Sequence, residues 1–274
     1  MRIVIDRRGD FEEWRDSARY LLSAGIRPDA VEWLDRAALG DDLFGMDKAI
    51  AETKAALTVP RAFVECAQVV VCHADLAGYG VLYRLLWRLQ TERHLLRITT
   101  DPDVVRAHQM AKSVGRDSHK MKAFVRFKEL PAVEGRARRQ FLAWFEPDHY
   151  IVGRTAGFFQ RRFTDMDWVI ATPKGSASWD GDALTVSAHP ACNPELVDDT
   201  DDLWRTYFAN IFNPARLKVK MMQTEMPKKY WKNLPEADLI PDLIAGAEER
   251  VRAMAAKPAT TAPKFHYRIH KIKG

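Results

Sequence analysis

Lys120-Met-Lys-Ala-Phe-Val-Arg-Phe-Lys128 alternates between two kinds of side chain. Met121, Ala123, Val125 and Phe127 fall on one side; Lys120, Lys122, Phe124, Arg126 and Lys128 fall on the other. A period of two is the signature of a strand. The stretch therefore predicts a strand with one apolar face and one basic face. Residues 131–140 read as a polar, Arg-rich connection, and Phe141 to Phe145 as a second strand stopped before Pro147, so the two form a hairpin. From Asp148 to Phe163 the period becomes helical, with Val152, Ala156, Phe159 and Phe163 on one stripe and Arg154, Arg161 and Arg162 off it. Trp168 to Thr172 predicts a strand ended by Pro173. Ser176 to Trp179 and Ala183 to Ser187 flank Asp180-Gly181, a strong hairpin-turn signal. The centre of the chain thus predicts β-β-α-β-β-β, an antiparallel sheet of the α+β class flanked by N-terminal and C-terminal helices.

Working outward, Phe11 to Leu34 reads as helical, with Asp10 as N-cap and Gly25 and Pro28 as interruptions. Asp47 to Leu57 predicts a second helix, and Pro60 opens another apolar stretch through Val71. Val81 to Leu89 is strongly helical. A further helix follows Asp101-Pro102, where proline suits the first helical position. Beyond a loop at 188–202, helix resumes at Leu203, capped by Thr200 or Asp201, and is interrupted at Asn213-Pro214; Asp242 to Ala256 is the last. The organisation expected is a helical part over 1–115, a sheet core with C-terminal helices over 116–256, and a basic, mobile tail over 257–274.

Composition limits the function classes. The 274 residues suffice for a sizeable core, and no apolar run reaches the roughly 18 residues of a spanning helix. The N-terminus, Met1-Arg-Ile-Val-Ile-Asp6, lacks an apolar signal segment, so a cytoplasmic protein with no membrane partner is expected. Cys66, Cys72 and Cys192 form no C-x-x-C pair, which argues against a disulfide framework, a common zinc site or an iron–sulfur triad; no cofactor is expected. Charge is uneven: residues 112–139 carry 9 Lys/Arg against 3 Asp/Glu, residues 215–232 carry 6 against 1, and residues 257–274 carry 5 and no acid. Clustered cations release counterions from phosphates, so a polyanion partner is expected, with solvated lysine-rich faces as the plainer account.

Several strings carry a family likeness: His119-Lys-Met-Lys-Ala-Phe-Val-Arg-Phe127, Trp168-Val-Ile-Ala-Thr-Pro173 with Trp179-Asp-Gly181, Tyr207 through Leu234, and Leu82-Tyr-Arg-Leu-Leu-Trp-Arg-Leu89. Over roughly residues 1–255 the chain resembles a bacterial family of unknown function described as probable DNA metabolism proteins. The resemblance implies a setting rather than a mechanism. Such proteins are typically encoded beside a radical-SAM protein with a suspected DNA-repair role, and some are fused to a uracil-DNA glycosylase domain. The length here suits the unfused form. The glycosylase motifs are absent, His189-Pro-Ala191 being only an echo. DNA is the implied partner, with the radical-SAM repair protein as a second.

Read from the residues, the nucleic-acid-binding candidates are Lys120, Lys122, Phe124 and Arg126 on the alternating stretch, and Arg154 and Arg161 on the following helix. Arg216 and Lys218 after Asn213-Pro214, and Lys228 and Trp231 where basics and aromatics interleave, complete the set. Phe124 would stack on an unpaired base; a covered or solvated sheet face is the structural alternative. For catalysis the candidates are His119, beside three cations, and the pair Glu146 and His149 around Pro147, with Asp148 as a helix cap the simpler account. Ser176 and Ser178 lack a nucleophile elbow, and Cys72-His73 with Asp75 lacks a full ligand set. Whether the chain is catalytic stays open at this level. The reading is a DNA-associated accessory protein, against an acid–base nucleic-acid enzyme or a module whose basic face docks an acidic protein.

Overall fold

The computed structural model describes residues 1–39, 58–131, 138–193 and 226–245. Internal contacts divide the chain into two units, Met1–Asp198 and Asp199–Gly274. The expected helices at 47–57 and 203–225, the Thr200/Asp201 cap and the tail lie outside the described residues, as do Arg216 and Lys218.

The first unit opens with a small βαβ element. In β1 (Arg2–Ile5) Ile3 and Ile5 are buried. Asp10 caps α1 (Phe11–Ser23) by accepting from the N–H groups of Glu12 and Glu13. The helix stops at Ala24 and Gly25 instead of running on to Leu34, and Glu32–Asp35 forms β2, parallel to β1. The helical expectation for 26–34 fails because Pro28 sets a 3-10 turn and Trp33 is buried from an extended backbone. A short α2 (Arg36–Leu39) follows.

Three helices then build the core. They are α3 (Arg61–Val70), α4 (Ala77–Arg88) and α5 (Pro102–Phe124). Most of α4 is buried, including Tyr79, Leu82, Tyr83 and Leu85. Asp101 starts α5 by accepting from the N–H groups of Asp103 and Val104, with Pro102 in the first turn. Its carboxylate also takes a 2.7 Å ion pair from Arg88, which holds it below the ordinary carboxylate range.

Helix α5 overturns the reading of Lys120–Lys128 as a strand. It runs for 23 residues and ends at Phe124; only Lys128–Glu129 is extended, as β3. Alternation over nine residues loses to a longer helical stripe, Val104, Ala107, Met110, Val114, Ser118 and Met121, all buried at spacings of three and four. Asp117 lies on that buried face too, and its polarity masks the stripe in the sequence. Lys, Met and Ala are also good helix formers.

The sheet order is β3-β4-β5-β6-β7, with β4 (Gln140–Trp144), β5 (Asp167–Thr172), β6 (Gly175–Trp179) and β7 (Leu184–Ser187). The order β-β-α-β-β-β and the α+β class are as the sequence indicates. The pairings are antiparallel except β4–β5, which is parallel. The exception follows from the connection: α6 (Val152–Arg162) crosses between them, as a parallel pair requires. Register places Phe141, Ala143, Trp168, Ile170, Ala177 and Trp179 on one face. Phe127, Phe159, Phe163 and Trp168 pack there with ring centroids 5.0–6.5 Å apart. Asp148 does not cap α6; Ile151 holds that position without a side-chain bond. The Asp180-Gly181 turn forms as expected. Asp180 accepts from Asp182 and Ala183, and Gly181 has φ +95° with Arg138 packed where a Cβ would stand.

In the second unit, 3-10 turns at Lys228–Asn233 and Pro235–Leu239 lead into α7 (Ile240–Ala245), with Tyr230, Leu234, Ala237 and Ile240 buried.

Asp101→Ala removes both a helix cap and a charge-assisted bond, so it should lower stability by about 2 kcal/mol. Asp101→Asn keeps the cap and should lose less. Urea melts followed by circular dichroism would compare the two; equal losses would place the effect on the Arg88 pair alone.

Candidate nucleic-acid interface

The face of α5 opposite its buried stripe carries His108, Lys112, Gly115, Arg116, His119, Lys122 and Ala123, all exposed. His108, Lys112, Gly115, His119 and Lys122 follow a 4-3-4-3 spacing, which makes a nearly straight seam along a helix. At about 1.5 Å per residue the seam is roughly 21 Å long. The acids of α5 are used elsewhere. Asp103 binds Arg84 and Arg88, and Asp117 is 3% exposed. Lys112, Arg116, His119 and His108 have no ion pair or hydrogen bond among the described residues, so this face presents one sign of charge.

Lys122 extends the seam onto α6. Its Nζ lies 5.1 Å from the Phe158 ring centroid. Arg154 stands one turn before Phe158 and Arg161 about one turn after, both exposed.

The helix rearranges the binding set read from the sequence. Lys120 and Lys122, expected side by side, sit about 200° apart on a helix; Lys120 is half-buried beside the seam. Arg126 is a cap: its Nη1 donates to the carbonyls of Ala123 at 2.9 Å and Val125 at 3.4 Å, at the negative end of α5. Phe124 is half-buried. In the second unit, Trp231 donates its Nε1–H to the Met226 carbonyl at 3.0 Å, with Lys228 Nζ 6.0 Å from its ring. Lys112, Arg116 and His108 stand outside the set that the sequence suggests, although their spacing is visible there. A strand beginning at Lys120 hides their continuity with His119 and Lys122.

The three catalytic candidates occupy different settings. His119 is exposed on the seam, with no hydrogen-bond or ion-pair partner among the described residues. Glu146 accepts from Trp144 Nε1 at 2.9 Å. His149 is 6% exposed and pinned on three sides. Its backbone N–H donates to Asp117 Oδ2 at 2.9 Å, its Nδ1 accepts from the Ala74 N–H at 3.1 Å, and its Nε2 lies 2.9 Å from Ser113 Oγ. An accepting Nδ1 fixes the neutral tautomer with hydrogen on Nε2. His149 therefore donates to Ser113 and does not take its proton, the reverse of a base activating a nucleophile.

The His73 ring lies tilted by 33° against that of His149, with centroids 4.5 Å apart, and its own Nδ1 accepts from the Asp75 N–H at 3.0 Å. Next to it, the Arg8 side chain is 8% exposed. Arg8 binds Asp35 at 2.8 Å, donates to the carbonyls of His73 and Ala74, and lies 4.6 Å from the Tyr150 ring centroid. This knot ties the β1–α1 loop, β2, the α3–α4 turn and the α6 approach together. Burial pushes the Cys72 thiol up to about 11, so it is an inert core group, and no cluster of metal-ligating side chains occurs among the described residues.

The family model for a domain of unknown function, DUF4130, matches residues 78–236. The chain belongs to that family. The match spans α4, α5, α6 and the five-stranded sheet, and so includes the whole basic seam. No curated protein and no solved structure matches the chain. No helix among the described residues is long and apolar enough to cross a membrane.

Burial holds the His73 pKa below its ordinary 6.5, helped by Arg106 and Arg8 and opposed by the Asp75 carboxylate. The unfolded chain then takes up this proton first as pH falls. The contribution of neutral His73 is complete above 6.5 and is lost progressively below it. Thermal melts at about pH 7.5 and about pH 5.5 should show a larger loss for the wild type than for His73→Gln. Equal losses would assign the acid sensitivity to other groups.

Proposed function

We propose that this protein is a DNA-associated accessory protein that holds nucleic acid on the basic face of α5 and α6. The observation that carries the reading is the row of unpaired cations on α5, with its acids turned inward or already paired. Such a row attracts phosphates irrespective of sequence. Arg154 and Arg161 widen the surface, and Lys122 joins the two helices. The tautomer of His149 favours a binding role over acid–base chemistry in that knot. The family resemblance supplies the setting, DNA metabolism or repair, with a radical-SAM protein as the partner to which bound DNA would be presented.

Binding to labelled DNA across a range of salt concentrations tests this. Affinity should fall steeply with salt, and Lys112→Ala/Arg116→Ala should flatten the log–log slope by about 2, near 0.9 for each phosphate no longer neutralised. Wild-type affinity in a folded double variant would remove α5 from the interface. Absence of binding even at low salt would shift the role of the face to an acidic protein.

A further inference from the structure

We propose that the α5 seam seats the sugar–phosphate backbone of double-stranded DNA, and that Gly115 is its point of closest approach. The inference rests on the nucleic-acid reading and adds the form of the ligand and a contact residue that carries no charge.

Gly115 sits at the midpoint of the seam, with Lys112 and His108 on one side and His119 and Lys122 on the other. Among the described residues nothing requires a glycine there: the position is helical, not left-handed, and a Cβ built on it meets none of their atoms within 4 Å. Contrast Gly78, where a Cβ would come to 3.0 Å from Met110 Cε. Glycine is the poorest helix former after proline, so an exposed glycine in mid-helix weakens α5 without improving its packing. Its local effect is to leave a notch. Without a side chain at the centre, a rod of phosphates can lie close to the helix while cations on both sides reach it.

The same face argues for a duplex. Proteins that hold single strands stack bases on aromatic rings. Between His108 and Lys122 the exposed seam carries no aromatic ring other than the two histidine imidazoles. A rigid helix face that sets Lys112, Arg116 and Lys122 along its length suits the regular phosphate spacing of a duplex better than a flexible strand. Phe158, the ring on α6 beside the seam, already has Lys122 Nζ 5.1 Å from its centroid.

The test compares three forms of the full chain, Gly115→Gln, Gly115→Ala and Lys112→Ala/Arg116→Ala, against a labelled duplex and a single strand of the same length. Glutamine is neutral and favours helix, so Gly115→Gln fills the notch without altering charge; helical content and melting temperature verify its fold. We expect Gly115→Gln to weaken duplex binding about tenfold, Gly115→Ala to weaken it less while raising the melting temperature, and the wild type to prefer the duplex. Loss of binding in Lys112→Ala/Arg116→Ala with wild-type affinity in Gly115→Gln would overturn the contact at Gly115 and leave the basic-face reading standing. Wild-type affinity in both would overturn the two together. Equal or tighter binding of the single strand would overturn the duplex assignment.

Discussion

The buried bond from the His149 backbone N–H to Asp117 holds the two halves of the first unit in register. A carboxylate that is 3% exposed is stable only with partners, and Asp117 finds one in the turn that enters α6. Once that turn is fixed, the His149 ring reaches Ala74 and Ser113, and the α3–α4 turn is drawn to α5. The bond also fixes the rotation of α5 about its own axis. With Asp117 turned inward, Lys112, Gly115 and His119 must face out.

The electrostatics of α5 follow from that rotation. A helix with mixed charges on its outer face would pair them locally at i, i+4. Here the outer face sets Lys112 beside Arg116, a like-charge pair that costs about 0.2–0.5 kcal/mol on an isolated helix. Burial of Val104, Ala107, Met110, Val114 and Met121 outweighs this, since each buried apolar side chain stabilises by up to about 3 kcal/mol. Packing therefore sustains a charge arrangement that an isolated helix would disfavour, and leaves it open to an external anion. The knot of Arg8, His73 and His149 does the opposite. There the polar groups of Arg8 and His149 are engaged internally, Arg8 Nε excepted, and the result is rigidity.

Much of the architecture was legible in local signals. Asp10 and Asp101 announced two helix starts, Pro102 the first position of α5, and Asp180-Gly181 the β6–β7 turn, because caps and turns are decided by the residues that form them. The element order β-β-α-β-β-β could be read from the strand and helix periods, whereas the parallel β4–β5 pairing could not. The Lys120–Lys128 stretch misled because a short window can satisfy a period of two and a period near 3.6 at once. What decides between them is whether Met121 completes a stripe begun at Val104, and Asp117 disguised that stripe by being a buried acid.

The sequence by itself determined the α+β class, the element order of the sheet and the excess of cations between 112 and 139, since these depend on composition and near neighbours. Only the tertiary structure decided which cations share a surface. It turned Lys120 aside, spent Arg126 on a helix end and aligned Lys112, His119 and Lys122 around Gly115. The physical reason is that a side chain's direction is set by the rotation of its helix. That rotation is fixed by the contacts of Ser113 and Asp117 with His149, which is distant from them in sequence.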